Sequence, residues 1–401
     1  MSFNLSNPKI MNIPDISDFA PLVGIAPWAR LAFLGENLSP IGESLLDRAI
    51  RNPEDANAIL DFSIILQLVG QREHALAVQS EAIRIQQNYT IFPKNRETNF
   101  RLLVLMGLGD LMANTPIEFL VEDSDIQLDI LYLTLDTNWP EEISEHDAML
   151  VAVAESDQNQ PILKRLIEYV HAWPRPIINH PKKISILSRD GVYNLLKDVP
   201  ELFIPKTVRI ARELLQTQSE NHFPIIIRPC GSHAGQGLAK LDRLRDLIEY
   251  LTQVSAHQFY VSPFVQYQSE DGLFRKYRIA MINGKPFFCH MAISEHWMVH
   301  YLNAGMSENI ERRNEEARCM ENFDQVFAAR HANALRKIQE KIGLPYFGID
   351  CAETKSGELL IFEIDNAMVV HSMDSENLYP YKKPAMKKLF DAFHLMLKNA
   401  H

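Results

Sequence analysis

The stretch that most constrains this chain lies in its C-terminal third. It runs Phe347-Gly348-Ile349-Asp350-Cys351-Ala352-Glu353, turns through Lys355-Ser356-Gly357-Glu358, and continues Leu359-Leu360-Ile361-Phe362-Glu363-Ile364-Asp365-Asn366. Two apolar, β-rich runs around a Ser-Gly turn predict a hairpin. Side chains alternate across a strand, so Glu363 and Asp365 share one face. If the strands pair about the turn, Asp350 joins them and three carboxylates converge. Their repulsion calls for a cation, and hard oxygen ligands suit Mg²⁺. A solvated acidic strand face is the other reading of this stretch.

The preceding segments supply candidates for what such an ion would serve. Phe223 to Pro229 reads as a strand ending in the cation Arg228, followed by Cys230-Gly231-Ser232-His233-Ala234-Gly235-Gln236-Gly237. A loop this rich in glycine can turn its N–H groups toward phosphate oxygens. Arg228 can add charge-assisted bonds. No GKS or GKT follows, so this is not a P-loop, and a flexible connection is the alternative. Gln258 to Val265 is an apolar strand whose Pro263 suggests an edge or an interrupted strand, with backbone groups open to an adenine. Lys276 and Arg278 then lie on one face of an extended run, where they meet either a polyphosphate or solvent. Asn283-Gly284 marks a hairpin turn. His296 and His300 are four apart, but Trp297 stands where the helical zinc motif needs glutamate. A substrate- or phosphate-contacting role for His300 or Asn303 is preferred to a zinc site.

A chain of 401 residues exceeds one typical domain. The net charge of −11 argues against nucleic-acid binding through general electrostatics. Cys230, Cys289, Cys319 and Cys351 form no CxxC pair, which argues against a zinc ribbon or disulfide framework and fits a reducing compartment. The N-terminus lacks an apolar signal core, and no run approaches the ~18 apolar residues that span a membrane. A soluble cytoplasmic protein without membrane or nucleic-acid partners is the expectation. Residues 1–97 read as helical. One apolar stripe contains Ile41, Leu45, Leu46 and Ala49, and another Ala58, Leu60, Phe62, Ile65, Leu66 and Val69. Pro53 to Gln87 resembles a single tetratricopeptide helix pair, which leaves a protein partner open. Residues 98–181 read as a small α/β layer, with strands at Phe100–Gly107, Gln127–Leu135, Asp147–Ala154 and Pro176–Asn179 and a helix at Gln160–Trp173. Gly107-Leu108-Gly109 lacks the third glycine of a dinucleotide fingerprint.

Together these pieces resemble the ATP-grasp superfamily, the fold of D-alanine–D-alanine ligase, glutathione synthetase and the ribosomal-protein glutamate ligases. The family's order is a strand-end cation, a glycine-rich loop, an adenine strand, a phosphate-binding arginine and an Asp…Glu-x-Asn metal set. Here that order is filled by Arg228, by Gly231, Ser232, His233, Gly235 and Gly237, by Tyr260, Val261, Phe264 and Val265, by Arg278, and by Asp350, Glu363 and Asp365. The resemblance covers about residues 180–395. It implies an α/β protein whose ATP-grasp core, residues 182–401, follows the small α/β domain and the helical segment. Arg228 stands where lysine is commonest, and Asp365 where asparagine is. Gly191, in Arg189-Asp190-Gly191, stands where many relatives carry a second phosphate-binding lysine. Lys182, Lys183 and Lys206 are open as its replacement.

The resemblance further implies an ADP-forming carboxylate–amine (or thiol) ligase working through an acyl phosphate on a small molecule or peptide. ATP and two Mg²⁺ ions would be the cofactors. Lys276 would join Arg278 on phosphate, Glu270 or Asp271 would hold the ribose, and Asn366 and His371 would face the acceptor. A small-molecule kinase, a non-catalytic ATP-binding protein and a homodimer remain open.

Overall fold

Apolar periodicity sets most of the elements, and two compact units result, residues 1–91 and 92–401. The computed structural model describes residues 17–94, 97–136, 139–140, 142–215, 222–232 and 235–400. In the first unit α1 (Ile25–Phe33), α2 (Ser39–Arg51), α3 (Ala56–Leu68) and α4 (Arg72–Ile85) precede the short strand β1 (Asn88–Ile91). α3 departs from the striped helix that its sequence predicts. Its buried positions include Ala56, Ala58, Ile59, Leu60, Ile64 and Ile65, which occupy more than one face. It packs on α1, α2 and α4, so it is a central helix and needs no polar side. On α2, Leu45 is buried as expected, but Leu46 is 41% exposed.

Polar groups lock this unit. Asp55 caps α3 by accepting from Ala58 N at 3.1 Å. It also accepts Arg48 Nε at 2.6 Å and Nη2 at 2.8 Å. Both side chains are buried. Asp61, also buried, accepts from Val23 N, Gly24 N and Trp28 Nε1. Asp55→Ala removes the cap and strands a buried guanidinium. It should cost about 3–5 kcal/mol, visible as a lowered denaturant midpoint, and a midpoint equal to wild type would refute this role.

The second unit begins with β2 (Phe100–Gly107), α5 (Glu118–Val121), β3 (Ile126–Leu133), β4 (Ala148–Val151), α6 (Gln160–Val170) and β5 (Ile177–Ile178). Its strands pair in parallel in the order β3-β2-β4-β5. β2 is bonded on both sides, which explains its unbroken apolar run. There follow α7 (Pro181–Ile184), α8 (Arg189–Leu196), β6 (Leu202–Phe203), β7 (Val208–Ala211), α9 (Arg212–Leu215), β8 (Ile225–Pro229), β9 (Ala239–Leu241), α10 (Leu244–Gln253) and β10 (Gln258–Pro263). Last come β11 (Phe274–Ile282), β12 (Lys285–Ser294), α11 (Ile310–Glu321), α12 (Phe327–Arg330), α13 (Ala332–Ile342), β13 (Tyr346–Glu353), β14 (Leu359–Asp365) and α14 (Lys382–Lys398). One sheet has the order β7-β10-β8-β9, and another β12-β11-β13-β14-β6. The chain is thus a mixed α/β protein with a helical N-terminal unit. No helix among the described residues is long and apolar enough to cross a membrane.

Of the two readings of Pro263, the edge is not found, and the strand stops at that residue. β10 pairs with β7 through Gln258–Val261 and with β8 through Phe259–Pro263. Pro263 lies at the strand's end, beyond the reach of β7, so its missing N–H costs no ladder bond on that side. The adenine contact pictured along a free edge therefore has only the residues after the strand to use.

Candidate functional site

The predicted hairpin is β13 and β14, with Gly357 in the turn at φ +84°. Asp350 faces Glu363 across it, and Arg278 on β11 faces Asp350. His290 on β12 faces Arg278. Directly opposed residues share a face. One row therefore crosses four strands: His290, Arg278, Asp350, Glu363. A register shift lies immediately beside this row in both flanking pairs, between Asp350 and Cys351 and between Arg278 and Ile279. Bulges of this kind bend strands and re-aim side chains.

Asp350 is only 2% exposed. It accepts Arg278 Nε at 2.7 Å and Nη2 at 2.9 Å, and Lys276 Nζ lies 2.6 Å away. Burial alone would raise its pKa, but Arg278 and Lys276 outweigh burial and hold the carboxyl well below the usual range. Glu363 pairs with Arg189 of α8, whose Nη1 also donates to Phe362 O at 3.2 Å. Burial raises Glu363 too, and the charges of Arg189 and Arg228 bring it below the ordinary value. Asp365 differs. Burial and the neighbouring Glu363 charge push its carboxyl up to about 7, against the Ala367 N–H that donates to it at 2.9 Å. Among the described residues Asp365 has no ion-pair partner. The sequence leads one to expect carboxylate repulsion relieved by Mg²⁺, but in the structure side-chain cations already neutralise two of the three acids. Among the described residues no group of three or more His, Cys, Asp or Glu side chains is gathered to hold a metal ion.

Arg228, at the end of β8, is 8% exposed. Its Nε donates to Ser232 Oγ at 3.2 Å, and its Nη2 to Ser232 O. Burial, then the charge of Arg189, lowers its pKa to about 10, so it stays cationic at neutral pH. It has no carboxylate partner among the described residues. The loop that follows has Gly231, Gly235 and Gly237 all at positive φ. At Gly237 a Cβ would also meet Pro229 at 2.7 Å, so glycine is required there. His233 lies outside the described residues.

The other predicted residues divide. Tyr260 faces Arg228 on one side and Arg209 on the other. Its hydroxyl accepts from Arg209 Nη2 at 2.8 Å, and Arg209 Nη1 reaches Asp157 at 2.6 Å. Val261 is buried in the small core of that sheet. Phe264 meets Trp297 edge-on at 5.9 Å and lies under Lys240 Nζ at 4.8 Å. Val265 packs on the main core. Asp271 sits on an exposed turn with its carboxyl lowered to about 2, first of all by the Arg275 fork that it accepts. His300 is half-buried near Lys276 and Arg278; burial and those charges lower its pKa. Asn303 is exposed, and its Oδ1 accepts from His300 N at 3.1 Å, so it holds the turn that carries His300.

Two features escaped the sequence. Asn366, expected to face the acceptor, is fully buried. Its Nδ2 donates to Val153 O at 3.1 Å, Ala152 O at 3.4 Å and Thr115 Oγ1 at 3.3 Å, and its backbone carbonyl accepts from Thr115 Oγ1 at 2.9 Å. It ties the end of β14 to the carboxyl end of β4, the side of a parallel sheet where ligands gather. Arg189 is the other, while Lys182, Lys183 and Lys206 are exposed.

No protein-family model matches the chain, and no curated protein matches it. Solved structures do. The D-Ala:D-Ser ligase VanG from Enterococcus faecalis aligns over 75% of this chain and 100% of its own, at 12% identity and TM-score 0.47. A RimK domain ATP-grasp protein from Sphaerobacter thermophilus aligns over 75% and 99%, at 11% and 0.43. The D-alanine-D-alanine ligase from Coxiella burnetii aligns over 75% and 95%, at 9% and 0.46.

Asn366→Ala removes the Nδ2 bonds to Val153 O, Ala152 O and Thr115 Oγ1, while Ala152 O keeps its bonds from Thr115. It should destabilise the second unit by about 1–3 kcal/mol, read as a lowered unfolding midpoint. Unchanged stability would show that the clamp is not needed.

Proposed function

We propose that the chain is an ATP-dependent carboxylate–amine or carboxylate–thiol ligase of ATP-grasp type. The observation that carries this reading is a pair of complementary needs. Arg228 is a buried cation with no carboxylate partner among the described residues, and Asp365 is an acid raised by burial beside Glu363. A metal-bound phosphate answers both, because its anion suits Arg228 and its cation suits Asp365. The donor set is hard oxygen, which fits Mg²⁺.

In this reading Glu363 and Asp365 would hold Mg²⁺, and Asp350 would join them only by giving up part of its pairing with Arg278 and Lys276; the ion, when bound, would supply charge neutralisation at the phosphates. Arg228 and the loop around Gly231, Ser232, Gly235 and Gly237 would bind phosphate oxygens. The residues after β10, Phe264 and Val265, would take the adenine, with Tyr260 and Val261 beneath. Asp271 would serve the ribose only by leaving Arg275. A substrate carboxylate oxygen attacks the γ-phosphorus, the bond to ADP breaks, and an acyl phosphate forms. The amine then attacks the acyl carbon, inorganic phosphate leaves, and the amine loses its proton to solvent or base. Arg278 and Lys276 would stabilise the charge moving between phosphoryl and acyl oxygens, and His300 would line the acyl side. The protein's contribution is positioning and electrostatics.

The test is ADP release over a panel of amino acids and short peptides offered as carboxylate and amine pairs, with products resolved by mass. Glu363→Gln should lower turnover by about 10²-fold or more. Undiminished turnover in that variant sinks the metal assignment. A phosphorylated substrate with no amide sinks the ligase assignment and leaves a kinase.

A further inference from the structure

One buried ammonium takes no part in the chemistry above. Lys382, the first residue of α14, is 4% exposed. Its Nζ donates to the Tyr301 hydroxyl and, at 3.0 Å, to Asp374 Oδ2, and Glu316 Oε1 lies 3.5 Å away. The ring centres of Tyr301 and Tyr379 lie 4.1 and 4.5 Å from the same atom, inside cation–π range. Glu316 is itself fully buried and accepts from Met291 N at 3.0 Å and from the Tyr381 hydroxyl at 2.6 Å. An ammonium carries three N–H donors that point apart. Here its contacts reach three separate pieces of chain: the loop after β12, α11, and the segment after β14. A buried ion pair often adds no more stability than packed apolar side chains would. What this cluster adds is geometry.

We infer that Lys382 is a positioning residue for the acyl side of the site, fixing the turn that carries His300 against the segment that follows β14. What those two segments serve rests on the ligase reading above; that they are joined rests on the bonds just given. The turn is a single 3-10 turn, Tyr301–Asn303. The Tyr301 ring that Lys382 holds packs at 4.5 Å against the ring of His290, and His290 faces Arg278 across β11 and β12. The segment after β14 is bonded first by Arg278, whose Nη1 donates to Val369 O at 3.2 Å, and then by Lys382 at Asp374. Both segments therefore reach Arg278 or its neighbour in the row, and Lys382 bonds to both. α11 holds the loop farther along, through Arg312 Nη1 to Ala304 O at 2.7 Å and Arg313 Nη1 to Met306 O at 2.9 Å. The end of the loop that bears His300 is left to Tyr301 and its lysine.

Kinetics, hydrogen exchange and chemical rescue of the full chain test this. In the ADP-release assay Lys382→Met should leave the KM for Mg-ATP within about twofold of wild type and lower kcat by about 10- to 100-fold. Backbone exchange should quicken by about tenfold or more in the peptide covering 299–306 and stay unchanged in β13 and β14. Lys382→Met leaves two buried carboxylates unpaired, so Lys382→Met/Glu316→Gln/Asp374→Asn, which removes all three charges, is the second variant. It should unfold near the wild-type temperature and still lack turnover. In Lys382→Ala, propylammonium, which matches the deleted atoms, should restore protection of 299–306 where 1-propanol does not. Lys383→Met, at the exposed neighbour paired with Glu376, should behave as wild type. If turnover and protection both return in the neutral triple variant, the lysine only offsets two acids and the positioning role is wrong. A KM for Mg-ATP that rises along with the lost kcat also overturns it, since the effect is then not confined to the acyl side. If the wild type releases ADP with no substrate pair, the ligase reading falls, and exchange and rescue still decide whether Lys382 fixes the turn.

Discussion

A carboxylate at the centre of a sheet is costly unless cations accompany it, and here everything around the site follows from how Asp350 is accompanied. Removing an ion from water costs several kcal/mol even after relaxation, and a good ion pair roughly repays that. Asp350 receives a bidentate guanidinium and an ammonium, both from β11. Those contacts require β11 and β13 to pair in one register. A slip of one residue would turn Asp350 to the other face and leave one buried and two half-buried charges without partners. The bulges beside the row then let strands of unequal side-chain demand keep that register.

With Asp350 neutralised from one side, the next acid along the row needs a different cation. Glu363 takes it from α8, far away in the chain. Asp365, two residues on, has no ion-pair partner among the described residues, and burial and the Glu363 charge raise its carboxyl despite the more distant charge of Arg189. The site is therefore graded: fully compensated at Asp350, partly at Glu363, and short of positive charge at Asp365. On the four-stranded sheet the imbalance is reversed, since Arg228 has only neutral oxygen partners among the described residues. A ligand that carries both signs matches this gradient better than a simple anion or a bare metal ion.

Much of the fold was legible. Alternation and a Ser-Gly turn located β13 and β14 within a residue or so, and an apolar run bounded by Gly107 located β2. Those signals work because they are local, with burial and turn chemistry written in neighbouring residues. What was not legible depends on distance in sequence. Arg189 and Glu363 are separated by 174 positions. Asn366 meets Thr115 across 251. Neither side chain differs by type from one that would face solvent. The assignment of cations to acids was also hidden, because spacing puts Lys276 and Arg278 on one face but says nothing of what faces them. Pro263 misled because a proline at the last residue of a central strand carries the same letter as one on an edge. α3 misled because a helix wrapped by three others has no polar side for periodicity to find.

The Asn366 clamp has a mechanical consequence. Its bonds join the last residues of β14 to Ala152, Val153 and Thr115, all buried and all without water to compete for them. The five-stranded sheet and the parallel layer are thereby tied together by buried hydrogen bonds at the site. The four-stranded sheet carrying Arg228 and Tyr260 reaches the parallel layer through Arg209 and Asp157, a pair whose carboxylate is half in solvent. The two joints therefore differ in their exposure to solvent: the Asn366 side is sealed from water, and the Arg209 side is open to it.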